Sequence, residues 1–155
     1  MTQLKKGDIA PDFAAVNQDG EEVSLADFKG KKLILYFYPK DNTPGCTNEA
    51  CNFRDHYNYW LKKGFAVVGV SPDSIASHQK FIAKYRLPFP LLSDPDKKII
   101  RAYGVWGLKK LYGREYEGLI RSTFVIDEEG KIEEVFGKVK TKEHTEQIIK
   151  TLNLE

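Results

Sequence analysis

The run LILYFY, Leu33 to Tyr38, followed within five residues by Thr43-Pro44, constrains the fold more tightly than any other stretch of the chain. Near-continuous apolar character predicts a central strand covered on both faces. Pro39, Asp41 and Asn42 break that strand, and Thr43-Pro44 predicts the start of a helix. Threonine is a favoured N-cap whose side-chain oxygen accepts a backbone N–H. Proline suits the first helical position because it has no N–H to leave unpaired. Cys46 is then the third helical residue, in the turn where unpaired N–H groups and the positive end of the helix dipole lie. Those surroundings favour thiolate, the nucleophilic form, over thiol. Cys46 is therefore a candidate nucleophile.

Cys51 is the other of the two cysteines. In an ideal helix five residues rise about 7.5 Å, which sets the two Cα atoms roughly 8–9 Å apart. A disulfide needs them within about 7 Å. Any bond between them must unwind the helix, which fits a pair reacting in sequence, one sulfur attacking and one resolving. The helix is expected to run to Lys63-Gly64, with Cys46, Ala50, Phe53, Tyr57, Trp60 and Leu61 on one core-facing stripe and Cys51 rotated off it.

The remaining pattern organises around this unit. Phe13–Val16 and Glu21–Leu25 read as a hairpin closed by NQDG, and Ser24–Phe28 as a helical turn. Phe65–Val70 is a strand, Ser74 caps a helix to about Arg86, and Leu87–Leu92 can form only a short strand because Pro88 and Pro90 cannot donate to a ladder. Ser93-Asp94-Pro95 opens a helix closed by Gly104. The stretch GVWGLKKLYGREYEG, 104–118, reads as a flexible aromatic-rich loop, with Lys109 and Lys110 as solvated surface. Arg121–Ile126 and Ile132–Phe136 form a second hairpin, and Thr141 caps the final helix. The order β-α-β-α, then β-β-α, predicts an α/β, thioredoxin-like fold. Its central mixed sheet is flanked by helices, with an N-terminal hairpin and an inserted α/β segment near 87–119. A single domain spanning 1–155 is expected, since no repeat or linker divides the chain.

Pro39-x-x-x-Thr43-x-x-Cys46, followed by Cys51 within TPGCTNEAC, resembles the active-site pattern of peroxiredoxins of the PrxQ, or bacterioferritin-comigratory-protein, branch. APDF at 10–13, GVWG at 104–107 and RSTFVID at 121–127 extend the likeness over most of the chain. The resemblance implies a thiol-specific peroxidase acting on hydrogen peroxide and organic hydroperoxides. Cys46 would become a sulfenic acid, Cys51 would resolve it as an intramolecular disulfide, and thioredoxin or a similar dithiol reductant would recycle it. It further implies that the Thr43 hydroxyl bonds peroxide, that Pro39 shields the sulfur from water, and that Arg121 stands against thiolate and peroxide. Glu49 either orients Arg121 or only favours the helix start. Members of the branch are often monomers, so a monomer is expected.

Composition excludes several other classes. With 24 basic and 22 acidic residues, well mixed, the net charge is +2 and no nucleic-acid surface is expected. No apolar run is long enough to span a bilayer and the start lacks a signal core, so a cytoplasmic protein is expected. His56, His78 and His144 show neither CxxC nor HxxxH spacing, so no metal is expected, nor any other cofactor. The rival reading is a thioredoxin-like dithiol oxidoreductase acting on protein disulfides, whose signature would be CxxC. A redox-sensing binding module on the same fold is a third.

Overall fold

The structure, a computed structural model, describes residues 2–155. In chain order it comprises β1 (Ala14–Val16), β2 (Glu22–Ser24), a 3-10 turn (Leu25–Phe28), β3 (Lys32–Phe37), α1 (Pro44–Asp55), α2 (Tyr57–Lys62) and β4 (Phe65–Ser71). There follow α3 (Ile75–Tyr85), β5 (Leu91–Ser93), α4 (Lys98–Ala102), β6 (Trp106–Leu111), β7 (Arg114–Leu119), β8 (Ser122–Ile126), β9 (Ile132–Phe136) and α5 (His144–Leu152). Seven strands make one mixed sheet in the order β2-β1-β5-β4-β3-β8-β9. β3 lies at its centre, parallel to β4 and antiparallel to β8. This is the thioredoxin-like architecture that the element order implies.

Alternation along β3 divides the core. Leu33, Leu35 and Phe37 point into one apolar cluster, with Ile100, Tyr103 and Phe124. Ile34, Tyr36 and Tyr38 point into the other, with Cys46, Phe53 and Trp60. Burying both faces of one strand is why LILYFY carries no polar residue. Gly69 on β4 makes room for the Tyr36 ring: a Cβ there would lie 2.9 Å from Tyr36 Cζ and 2.7 Å from Leu91 Cδ2. β3 thus ends at a fixed height, and the residues after it, from Tyr38 to Cys46, start from a rigid platform.

Several local expectations need correction. The helix expected to reach Lys63 breaks at His56, whose φ of −109° and ψ of 13° separate α1 from α2. Asn52 O there accepts both His56 N–H and, at 2.8 Å, the His56 ring. The break resets the helical phase, so Trp60 is buried while Leu61 is half exposed. The segment 104–118 is no loop: β6 and β7 pair in register as a separate two-stranded hairpin around Tyr112-Gly113. Both turn residues have positive φ, 51° and 77°, as a two-residue hairpin turn of the primed type requires. α4 starts later than Ser93-Asp94-Pro95 suggests, and Asp94 caps it by accepting Lys98 N–H and Ile100 N–H, each at 2.9 Å. α5 begins at His144 behind Glu143, not behind Thr141. Among the described residues no helix is long and apolar enough to cross a membrane.

Candidate active site

Thr43 occupies the N-cap position of α1 with extended backbone (φ −99°, ψ 157°), and Pro44 is the first helical residue. The expected side-chain cap is absent. Thr43 donates its hydroxyl instead to Lys40 O at 2.9 Å, tying the loop to itself and leaving the oxygen's lone pairs open. The first turn of α1 is therefore held by backbone alone, through Thr47 N–H to Thr43 O at 2.8 Å. Pro39 comes two residues after the end of β3 at Phe37, is half buried, and, lacking a donor, keeps the ladder from continuing.

Cys46 is 1% exposed, and its Sγ accepts a hydrogen bond from Arg121 Nη2 at 3.1 Å. Arg121 stands between β7 and β8, 75 residues away in sequence, and reaches the sulfur because β8 runs beside β3. Gly45 makes that approach possible, since a Cβ there would meet Nη2 at 3.2 Å. The other arm of the guanidinium, Nη1, donates to Glu49 Oε1 at 2.6 Å. Burial on its own would lower the proton affinity of Arg121, but Glu49 and Cys46 outweigh it, and the guanidinium stays charged. So the structure brings Cys46, Arg121 and Glu49 into direct contact, with Thr43 and Pro39 in the connecting loop.

Glu49 is fully buried, and that burial lifts its carboxyl to about 7 against the pull of Arg121. Its Oε2 has no hydrogen-bond partner. His144 Nε2 lies 3.9 Å from that oxygen, too far to bond, and meets Thr123 Oγ1 at 2.8 Å instead. His144 Nδ1 faces Gln147 Oε1 at 2.9 Å, and burial lowers this histidine to about 4, so the ring is neutral at pH 7. Lys109, expected on the solvated surface, is half buried. Its Nζ donates to Leu119 O at 2.8 Å. Burial and then the charge of Arg121 lower its proton affinity, while Cys46 opposes them. Sequence reasoning missed His144 and Lys109 because only the packing of α5 and β6 against the sulfur's surroundings gives either a role.

Cys51 lies within α1, half buried, and burial raises its thiol. Both cysteines are free. α1 is unbroken from Pro44 to Asp55, so the two sulfurs cannot meet in this conformation.

A second buried polar cluster holds the loop from behind. Asp41 accepts from Tyr38 OH at 2.6 Å and from Ser77 Oγ at 2.8 Å, and pairs with His78 Nδ1 at 2.7 Å. His78 Nε2 faces Leu92 O at 3.0 Å, so that nitrogen must carry a proton. Asp73 accepts from Asp41 N–H and Ser71 Oγ, at 2.8 and 2.7 Å. Ligand-type atoms of Asp41, Asp73 and His78 lie within 4.8 Å of one another, but these hydrogen bonds occupy them. The cluster is a clamp from the loop between β3 and α1 to α3. Asp41→Ala should cost about 3–5 kcal/mol, because it strands a buried histidine partner. The expected result is a lower urea midpoint with an unchanged slope; an unchanged midpoint would mean that the clamp contributes nothing.

A surface cavity of about 230 Å³ is lined by Leu25, Phe28, Leu33, Ile126 and Gly130. It sits at the opposite ends of β3 and β8 from Arg121, away from the Cys46 site.

Comparison with known proteins agrees with this geometry. The AhpC/TSA family profile matches residues 6–135. Peroxiredoxin Bcp of Bacillus subtilis is 49% identical over 149 residues, covering 96% of this chain and 95% of its own. The crystal structure of Xylella fastidiosa PrxQ superposes with a TM-score of 0.91 at 33% identity, covering 99% and 98% of the two chains. The bacterioferritin comigratory protein of Xanthomonas campestris was solved for its alkyl peroxide reduction activity. It matches with a TM-score of 0.84 at 37% identity, over 91% and 90% of the chains. With a first-turn cysteine held by a half-buried arginine on this sheet, and likeness of that depth along nearly its whole length, the chain belongs to the AhpC/TSA family as a peroxiredoxin of the Bcp type, a thiol peroxidase.

Proposed function

We propose that Cys46 is the sulfur that attacks peroxide and that Cys51 resolves it. The observation that carries this is the 3.1 Å contact between Arg121 Nη2 and Cys46 Sγ. A guanidinium that stays charged stabilises a thiolate and also offers donors to the oxygen on which charge develops. Thiolate attacks the terminal peroxide oxygen, an S–O bond forms and the O–O bond breaks. The electron pair leaves on the distal oxygen, which departs protonated as water or an alcohol. Cys46 is then a sulfenic acid. Thr43, with free lone pairs at the loop, accepts from the peroxide, and Pro39 keeps solvent from the sulfur.

Cys51 sulfur next attacks the sulfenic sulfur, water leaves, and an intramolecular disulfide forms after local unwinding of α1. A dithiol reductant, thioredoxin or one like it, restores both thiols by exchange. The chain works as one domain, a cytoplasmic monomer, on hydrogen peroxide and organic hydroperoxides, with no metal or other cofactor and no nucleic-acid partner. Five residues from Cys46 to Cys51 separate this reading from a dithiol oxidoreductase, whose two cysteines must bridge without melting a helix.

Steady-state peroxide consumption with thioredoxin, thioredoxin reductase and NADPH tests the scheme. The expected result is turnover that saturates in thioredoxin and is faster with peroxide than with a protein disulfide. Preference for the disulfide would favour the oxidoreductase reading.

A further inference from the structure

The Arg121 guanidinium carries a single positive charge and touches two acids, Cys46 at 3.1 Å and Glu49 at 2.6 Å. Were both ionised, the triad, with Cys46 and Glu49 buried and Arg121 partly so, would hold a net negative charge. Part of it would fall on Glu49 Oε2, which is fully buried and has no donor. An unpaired buried charge is far costlier than an unpaired neutral hydroxyl. Among the described residues, nothing else facing Glu49 supplies the missing charge. His144, on α5, points its Nε2 at Thr123 and stays neutral. Tyr36, on β3, has its own hydroxyl buried without a partner, and Glu49 makes that hydroxyl harder to ionise. Lys109, on β6, donates to Leu119 O, not to Glu49.

We propose that Glu49 and Cys46 hold one proton between them across the Arg121 guanidinium. The carboxyl is neutral while the sulfur is an anion, and it becomes the counter-ion of Arg121 once peroxide has consumed the sulfur's charge. This rests on Cys46 as the attacking sulfur and makes Glu49 a positioning residue that acts through Arg121. The balance is one thiolate, one hydroperoxide and one carboxylic acid giving one sulfenic acid, one alcohol or water and one carboxylate. The S–O bond forms, the O–O bond breaks, the distal oxygen ends with a proton and Glu49 ends without one. Before and after, the triad is neutral, so oxidation never strands a charge in the core. Two acids coupled in this way titrate as a pair. The burial that lifts the Glu49 carboxyl to about 7 makes the exchange accessible near neutrality.

Infrared spectroscopy of the neutral-carboxyl stretch reads this directly, with Glu49→Gln identifying the band. In the reduced enzyme the band should persist to a pH about one unit or more above its midpoint in Cys46→Ser, a tenfold or larger change in proton affinity. One equivalent of hydrogen peroxide added to reduced Cys51→Ser in mildly alkaline buffer should remove it. The same midpoint with and without the sulfur would overturn the proposal, and this comparison stands even if Glu49→Gln folds poorly. Stopped-flow rates of the peroxide step give a second readout. Above neutrality the wild-type rate should fall as Glu49 ionises and draws Arg121 away. Glu49→Gln still accepts from Arg121 Nη1 but cannot ionise, so its profile should lose the alkaline limb. An alkaline limb retained in that variant would reduce Glu49 to orienting the arginine. Peroxide turnover by Cys46→Ser would instead refute the assignment of the attacking sulfur.

Discussion

Cys46→Ser is expected to remove peroxide reduction while leaving the protein folded. The side chain is 1% exposed in a cluster with Tyr36, Tyr38, Ala50 and Phe53, so the smaller serine oxygen fits the same space. Arg121 Nη2 finds an acceptor in the serine hydroxyl as it does in the sulfur, so the half-buried guanidinium is not stranded. The change in stability should therefore stay within about 1 kcal/mol. Reactivity is another matter. A serine hydroxyl stays protonated near neutral pH, and among the described residues no base hydrogen-bonds position 46: Glu49 is bound to Arg121 Nη1, and His144 is turned to Thr123 and Gln147. Nothing can take over the nucleophile's role, and its loss should slow the peroxide step by on the order of a thousandfold or more. Rapid-mixing kinetics of the reduced protein with hydrogen peroxide, alongside near-ultraviolet circular dichroism, separates the two effects. A variant retaining a sizeable fraction of the wild-type rate would move the nucleophile elsewhere. A variant that lost its fold would show that Arg121 needs the thiolate as a structural counter-ion.

The strand-to-helix unit could be read from the sequence because its signals are local. An all-apolar run, a broken linker and Thr-Pro each act within a few residues, and the structure places them where that reading does. Ser74 is legible for the same reason and caps α3 through Ser77 N–H at 3.1 Å. Failures occur where two signals compete over short range. At Thr43 the hydroxyl had a choice between the helix N–H groups and Lys40 O, and it takes the carbonyl. At His56 a side chain able to bond its own helix's carbonyl ends α1, though the apolar spacing runs on through it. In β6 and β7, lysines, glutamates and glycines conceal an alternation that is weak because neither face of this hairpin is fully buried.

The chemistry of the site was legible to a different degree. Cys46 follows from its place at the helix start, but its neighbours come from far along the chain. Only the family pattern pointed to Arg121, because nothing near position 121 shows that β8 will lie beside β3. No pattern pointed to the pairing of Asp41 with His78, 37 residues apart, or to His144 behind Glu49. These contacts exist because separate elements pack on one sheet, and residue spacing carries no record of them.

Cys51→Ser should reduce one equivalent of peroxide and then stop, and the reason lies in what holds α1 at each end. Upstream, Asp41 is clamped to Tyr38, Ser77 and His78. Downstream, Asn52 accepts from Thr145 N–H at 2.7 Å and donates to Lys142 O at 3.1 Å, and Phe53 is fully buried. Between these anchors the helix has no side-chain cap, its second residue is Gly45 and Cys51 is only half buried, so what holds it is the burial of Cys46, Glu49 and Ala50 and the two Arg121 bonds, one of which ends on the sulfur that is oxidised. The disulfide needs Cα atoms that are roughly 8–9 Å apart in a helix to come within about 7 Å. The least costly route unwinds residues 43–51 and leaves the anchors standing. Oxidised wild-type protein should therefore show faster amide exchange over 43–51, with protection retained from Asn52 onward and at Tyr38. In Cys51→Ser no disulfide forms, so exchange there should stay slow, thioredoxin-supported cycling should be lost, and mass spectrometry should find Cys46 as sulfenic acid or further oxidised. Oxidised wild-type protein with exchange as slow as the reduced form would mean that the sulfurs meet without unwinding, which the geometry of an intact α1 forbids. Exchange spreading through Phe53 to Asp55 would show instead that the Asn52 anchor yields along with the first turns.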